Sequence, residues 1–453
     1  MLTQYEHANK EFKKVVKHLV GETQYRFPKN LTKHFDDSGL TLKEYVKIYH
    51  KSFREPLFDT IEEKEKYYRW WCEIIPVPKT YRPIWEQYCY IESQPQCEQK
   101  SAAWLKQREE FITASSGADA IGESKYNPAK NMLIDKVGLG KPFKENKNVW
   151  HGKKSETIAT SIYENVFNVK VGEFGMIPHL GKGRVKVPFL GASPDGICTC
   201  STLDGHFSNF LGRMLEIKCV TTRQINDTGP EHIFKYTEKK DPGIVPHYYW
   251  VQIQLQLECC DLEWCDFWQC KLSDHWSLDL LKLNMAKIPK SMHVIGQGEE
   301  YTMDPNLEVG AFIELLPKVT SHIPSDEKVM WYGKYIYPHD MASSLEDKIE
   351  WAQNMKKNWK LLYPQYVADY NFGKIIYYHL EKSHCYLVRR DTDWFKERLP
   401  DFAAFWEQVM IHRHDKVKRQ ILIDEHAEIE AKKVLKANNK RKEFANISWD
   451  GDD

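Results

Sequence analysis

Between Met214 and Cys219 an apolar run carries two charges, with Met214, Leu215, Ile217 and Cys219 set around Glu216 and Lys218. Strand side chains alternate, so both charges fall on one face of a predicted strand. From His247 to Cys260, Gln252, Gln254 and Gln256 alternate with Val251, Ile253, Leu255 and Leu257. Period two reads as a strand, whereas the length of the segment suits a helix with a glutamine stripe. Residues 264–272 form another strand-like run, and 374–379 against 384–388 reads as a returning hairpin. Helical spacing marks 102–111, 345–362, 393–411 and the charged segment 415–442, whose thin apolar stripe is Val417, Ile421, Leu422, Ile429 and Leu435. Residues 1–96 read as mostly helical and rich in aromatics, including Tyr67, Tyr68, Trp70, Trp71, Trp85 and Tyr88. Gly and Pro punctuate short strands over 276–370, which predicts an elaboration of a sheet edge. Interleaved helix and strand signals make the fold class α/β.

With 453 residues, 42 % of them hydrophobic and 28 % charged, the chain is expected to be globular and to carry more than one domain. No run of about 18 apolar residues predicts a membrane-spanning helix, and the polar start, Met1 to Lys14, lacks the apolar core of a signal peptide, so the protein is expected inside a cell. Eleven cysteines without framework spacing fit reduced thiols. Cys198, Cys200, Cys259, Cys260, Cys265 and Cys270 could form a metal group, but a strand over 264–272 sends Cys265 and Cys270 to opposite faces, so buried thiols are expected. The formal net charge is 0, so any grip on phosphates must rest on local charge. Candidates are Lys182, Arg184 and Lys186 in one turn, Arg223, Lys239 with Lys240, and Lys153 with Lys154.

Chemistry concentrates in Ser193-Pro194-Asp195-Gly196 and in Glu216-Ile217-Lys218, with 20 residues between Asp195 and Glu216. Pro and Gly fix a bend that presents Asp195. Two neighbouring carboxylates repel unless a cation lies between them, and an all-oxygen donor set selects a hard ion such as magnesium or manganese. Lys218 is placed to orient an attacking water or to neutralise charge on a phosphate. Each residue also has a plainer reading. An acid-x-Lys strand can be a surface hairpin, Arg108 a solvated helix residue, Ser115 an N-cap for a helix at 117–121, and Glu156 a helix-start acid favoured by the dipole.

Taken together, five blocks in order resemble the lambda-exonuclease, or YqaJ-type viral recombinase, family of the PD-(D/E)xK nuclease superfamily. They are Trp104 with Arg108 and Ile112-Thr113-Ala114-Ser115; Gly152 with Glu156; Ser193-Pro194-Asp195-Gly196; Glu216-x-Lys218; and Tyr249-x-x-Gln252-x-Gln254. The resemblance implies a restriction-endonuclease-like core, a mixed central sheet flanked by helices, with an N-terminal helical extension and a sheet-edge insertion. It places the nuclease domain at 97–435, with the insertion at about 276–370 and a charged tail at 436–453, and makes 247–260 a helix. It implies that Asp195, Glu216 and the Ile217 carbonyl ligate Mg2+, for which Mn2+ substitutes, with Glu156 completing the acidic cluster and Lys218 positioning the water. Arg108, Ser115, Ser193 and Gln252 would read a 5′-phosphate, with Tyr249 on the pocket wall. The activity implied is 5′→3′ digestion of double-stranded DNA ends, leaving 3′ tails for a single-strand-annealing partner, in the cytoplasm or nucleus of an infected cell if the source is viral. Competing expectations are an endonuclease or alkaline nuclease on DNA or RNA, a non-catalytic end-binding protein, and a scaffold or annealing protein that needs no magnesium.

Overall fold

A computed structural model describes residues 77–445 apart from 98, 100, 125–126, 141–145, 182–185, 234–242, 287–290, 319–322, 324–327 and 339. Helices α1 (Arg82–Glu92) and α2 (Ala102–Glu109), strand β1 (Ile112–Thr113), helices α3 (Gly117–Ala120) and α4 (Ala129–Lys136) and the long α5 (Lys147–Phe167) come first. Strands β2 (Val171–Gly172), β3 (Ile177–Pro178), β4 (Leu190–Ala192), β5 (Gly196–Cys198) and β6 (Met214–Cys219) follow, then α6 (His247–Cys260) and β7 (Trp264–His275). The next stretch holds α7 (Leu278–Met285), β8 (Met292–Ile295), β9 (Glu299–Glu300), α8 (Pro305–Glu308), β10 (Val309–Pro317), β11 (Lys334–Ile336) and α9 (Leu345–Leu362). Strand β12 (Tyr370–Arg389), α10 (Thr392–His414) and α11 (Lys416–Ala445) close the described chain. Side-chain caps set several helix starts: Ser101 accepts from the Trp104 amide, Asn146 from those of Asn148 and Val149, and Asp391 from that of Trp394.

The larger sheet runs β11-β10-β12-β7-β6-β5-β2, with β8 on β12 and β9 on β8; a smaller one runs β1-β4-β3. Pairing is mixed, since β6 and β7 are parallel while β5 and β6 are antiparallel. The parallel step requires a crossover, and α6 supplies it. Leu215, Ile217 and Trp268 pack with Ile158, Ile162 and Tyr163 of α5, whereas Met214 and Phe267 pack with Val251, Ile253 and Leu257 of α6. The expected α/β core, a mixed sheet between helices, is therefore present, with β10 and β11 at one edge of the sheet. The glutamine-rich segment is helical, as the family resemblance implied. Cys265 and Cys270 lie on opposite sides of the sheet in separate apolar clusters.

One expectation fails. Residues 374–388 form no hairpin but part of the 20-residue strand β12. Its first half pairs with β10, its second with β8, and β7 follows it from Tyr377 to Arg389. The polar break that looked like a turn is an irregularity between Leu380 and Lys382, where Glu381 drops out of register and is held by Ser273 and by Lys271 at 2.6 Å. Glu, Lys and Ser supply none of the backbone freedom a tight turn needs, so the strand bulges and continues. Of the early aromatics, residues 67–71 lie outside the described residues. Tyr88 is buried, stacked on Trp85 and edge-on to Phe174, so this pair builds core rather than a surface for bases. In α11 only Leu422 of the apolar stripe is buried, while Val417, Ile421 and Leu435 are exposed. The acidic end of the chain lies outside the described residues.

Candidate active site

Helix α6 packs over strand β6 at Glu216, and this crossing builds the site. Glu216 is fully buried. Its Oε1 accepts from Gln252 Nε2 at 2.7 Å and from Lys218 Nζ, and its Oε2 accepts from Gln256 Nε2 at 2.7 Å. Residues four apart on a helix share a face, so Gln252 and Gln256 grip the two oxygens together. Asp195 hangs from the Ser-Pro-Asp-Gly turn, and its Oδ2 accepts from the Ile217 amide at 2.7 Å, which brings the bend against β6. Burial, Glu216 and Glu156 hold the Asp195 carboxyl well above the usual carboxylate range, against the pull of Lys218 and the Ile217 amide. Burial works against the charge on Lys218, but Glu216 and Asp195 outweigh it and raise its pKa. The Lys218 ammonium stands 4.7 Å from the centre of the Tyr249 ring.

A second cluster adjoins the first through the same turn. Ser193 Oγ, two residues before Asp195, accepts from Trp104 Nε1 at 3.0 Å. The Arg108 guanidinium lies 4.5 Å over the Trp104 ring and donates to Ser115 Oγ at 3.3 Å. Arg108 is anchored from behind, since Lys136 Nζ donates to its carbonyl at 2.6 Å. Arg413 Nη2 reaches the Glu109 and Lys136 carbonyls at 2.6 and 2.8 Å. Arg413 thus caps the ends of α2 and α4 at once. Burial, with Arg108 and Arg413 nearby, pushes the Lys136 ammonium down to about 8.

Residues 103–263 match the model of the YqaJ-like viral recombinase domain. Over these residues the chain resembles that family. An uncharacterised protein of Acanthamoeba polyphaga mimivirus is 35% identical over 335 residues, 74% of this chain; the chain spans 56% of the length of that relative. An alkaline exonuclease from Laribacter hongkongensis (LHK-Exo), solved alone and in complex with dAMP, aligns with 71% of this chain and 98% of its own at 16% identity and a TM-score of 0.33.

Within the matched segment, four sequence-derived residues converge: Glu216, Lys218 and Asp195, with Glu156 near enough for its charge to act on Asp195. Glu156 lies in the middle of α5, away from its N-terminus, so the dipole reading does not hold. Ser115 does not cap α3: Ser116 holds the N-cap position and makes no cap bond, while Ser115 faces Arg108. Arg108, half-buried on Trp104, is no solvated helix residue. Gln252 departs from its expected place beside the serines and donates to Glu216 instead. Gln256 was overlooked as a site residue, although its i, i+4 spacing from Gln252 was visible once the segment is helical. Gln254 points elsewhere, donating to the Arg389 carbonyl and accepting from the Asp391 amide. Of the basic candidates, Lys154 is buried against Asp274 and Lys153 donates to the Trp331 carbonyl, so neither is a free phosphate contact. Lys182, Arg184, Lys239 and Lys240 lie outside the described residues. Among the described residues, no helix is long and apolar enough to cross a membrane.

Proposed function

We propose that the chain is a magnesium-dependent exonuclease that digests double-stranded DNA from 5′ ends and leaves 3′ single-stranded tails. The observation that carries this reading is the turn 193–196, which joins a hydroxyl facing the Arg108 cluster to a carboxylate facing Glu216. A terminal phosphate held by Arg108 and the serine hydroxyls would lie beside the acids, and a guanidinium fork suits that group.

The acids are the residues that would hold a divalent ion, although among the described residues no three such side chains are grouped closely enough to form a ready-made metal site. Glu156, Asp195 and Glu216 set three carboxylates against the single ammonium of Lys218, and Asp195 Oδ1 accepts no hydrogen bond from the described residues. Asp195 and Glu216 would hold the ion, with the Ile217 carbonyl and Glu156 completing the set. Bound magnesium polarises a phosphate and lowers the pKa of a water. Gln252 and Gln256 keep Glu216 in one orientation, and Lys218, fixed between Glu216 and the Tyr249 ring, orients the water and faces the charge gathering on the phosphate. The viral relative and the family suggest action inside an infected cell, in recombination or replication-linked processing with a single-strand-annealing partner. The test is digestion of an end-labelled, 5′-phosphorylated linear duplex with and without magnesium, beside a closed circle. Shortening of the linear duplex only with magnesium supports the reading, whereas cutting of the circle makes the protein an endonuclease, and metal-independent binding with no cleavage makes it an end-binding protein.

A further inference from the structure

A chain of hydrogen bonds through two buried side chains, His384 and Gln269, runs from β8 and β9 toward the site. The Gly296 carbonyl, in the turn between β8 and β9, lies 2.9 Å from His384 Nε2. A carbonyl only accepts, so Nε2 carries the ring proton, and burial, which lowers the His384 pKa, keeps Nδ1 an acceptor. Gln269 Nε2 then donates to Nδ1 at 3.4 Å, which turns Gln269 Oε1 outward. There it accepts from Arg223 Nη2 at 2.6 Å. Each donor faces an acceptor only in this direction. His384 and Gln269 are fully buried, and Gln269 pairs in register with Lys218 on the neighbouring strand, so both side chains stand on one face of the sheet.

Arg223 is thereby held next to the reaction centre. Its guanidinium is 5.9 Å from the centre of the Tyr249 ring, the ring that also carries Lys218 at 4.7 Å. Its other hydrogen bond among the described residues is a weak one to the Gln224 carbonyl at 3.4 Å, and among those residues no carboxylate lies within ion-pair distance of it. A half-buried guanidinium aimed by a buried amide, lacking an acid and sharing a ring with the lysine of the site, has the makings of an anion contact.

We propose that Arg223 grips the backbone phosphate next to the scissile one, and that the Gly296–His384–Gln269 relay positions it. The proposal rests on the nuclease reading of the site. It also gives the sheet-edge segment a role that the 103–263 domain match does not include, since Gly296 and His384 lie beyond it.

The experiment measures binding of the full chain to a short blunt DNA duplex between 50 and 200 mM salt, without metal, for wild type, Arg223→Gln, Arg223→Lys and Gln269→Leu, with thermal melts of each. Arg223→Gln should weaken binding roughly ten- to a hundredfold, the loss of one charge-assisted contact. It should also flatten the slope of log affinity against log salt by about 0.9, one phosphate. Arg223→Lys should keep the slope yet bind less tightly, because a point charge replaces a fork. Gln269→Leu retains Arg223 and should likewise keep the slope and lose affinity. An unchanged affinity and slope in Arg223→Gln overturns the phosphate contact, and wild-type affinity in Gln269→Leu overturns the relay. If a melt shows that Gln269→Leu is unfolded, His384→Asn, which keeps an acceptor near Nδ1 but cannot reach Gly296, tests the relay with the same two readouts. Wild type that binds no duplex at all refutes the nuclease reading instead, a result distinguishable from either failure.

Discussion

Two buried acids stand one residue apart in register on neighbouring strands, Glu216 on β6 and Asp266 on β7, and they have opposite fates. Asp266 faces α5, where Tyr163 donates at 2.6 Å and Arg213 at 3.1 Å, so a single carboxylate meets a single guanidinium and a hydroxyl. Burial raises its pKa, and Arg213 and Tyr163 offset that rise. Glu216 faces α6. Its partners Gln252 and Gln256 are neutral, its one cation Lys218 is shared with Asp195, and Glu156 adds a further negative charge. The first acid is closed by the protein's own groups. The second is oriented by amides and left short of positive charge, an imbalance that the proposed ion would relieve and that a structural ion pair avoids.

The strongest way to break this contrast is to remove the acids in turn. Asp195→Asn keeps an acceptor for the Ile217 amide, so it should abolish magnesium-dependent digestion by more than about a hundredfold while the protein stays folded. Asp266→Ala, assayed per folded molecule, should retain digestion. Residual activity of Asp195→Asn above about one part in a hundred would remove that residue from the reaction.

Stability should rank the two the other way. Asp266→Ala strands Arg213 and the Tyr163 hydroxyl and should cost about 3–5 kcal/mol, read as a lower denaturation midpoint with an unchanged slope. A loss below about 1 kcal/mol would make the Asp266 pair dispensable and weaken the comparison.

Third in size is the phosphate pocket. Arg108→Ala should slow digestion of 5′-phosphorylated ends roughly ten- to a hundredfold, from a charge-assisted contact of about 1.5–3 kcal/mol, and narrow their advantage over 5′-hydroxyl ends. Equal slowing on both ends would reduce Arg108 to a structural role.

The smallest effect is on pH. Asp195 has a folded pKa above its unfolded one, so over the interval between them the native state holds more protons. Without metal, stability should therefore fall as pH rises from the ordinary carboxylate value through the raised one. Asp195→Asn should remove that slope, and added magnesium should raise the melting temperature of wild type but not of the variant. A metal-free wild type whose melting temperature tracks that of Asp195→Asn across this range would place Asp195 outside the charge conflict.

What the sequence made legible follows from how local each feature is. The bend at Asp195, the charges on β6 and the α/β alternation are written in spacing and turn residues, and the structure brings Asp195, Glu216 and Lys218 together. Gln252 was assigned to the wrong partner, because which oxygen an amide meets depends on how α6 crosses β6. Gln256 and Gln269 carry no local sign of their bonds; the latter is tied to residues 46 and 115 positions away in the chain. β12 misled for the opposite reason: a local polar break suggested a turn, and pairing with β10, β8 and β7 overrode it.

The continuity of β12 also governs how the molecule comes apart. A hairpin at 374–388 would have given the sheet a seam along which the edge strands could detach. A single strand that is hydrogen-bonded to β7 on one side and to β10 and then β8 on the other has no such seam. Shedding β10 would bare the amides of the same strand that holds β7, and β7 in turn flanks the strand of Glu216 and Lys218. The sheet edge and the strand of Glu216 and Lys218 therefore open as one cooperative unit, and slow amide exchange should run the length of β12 without a step at Glu381.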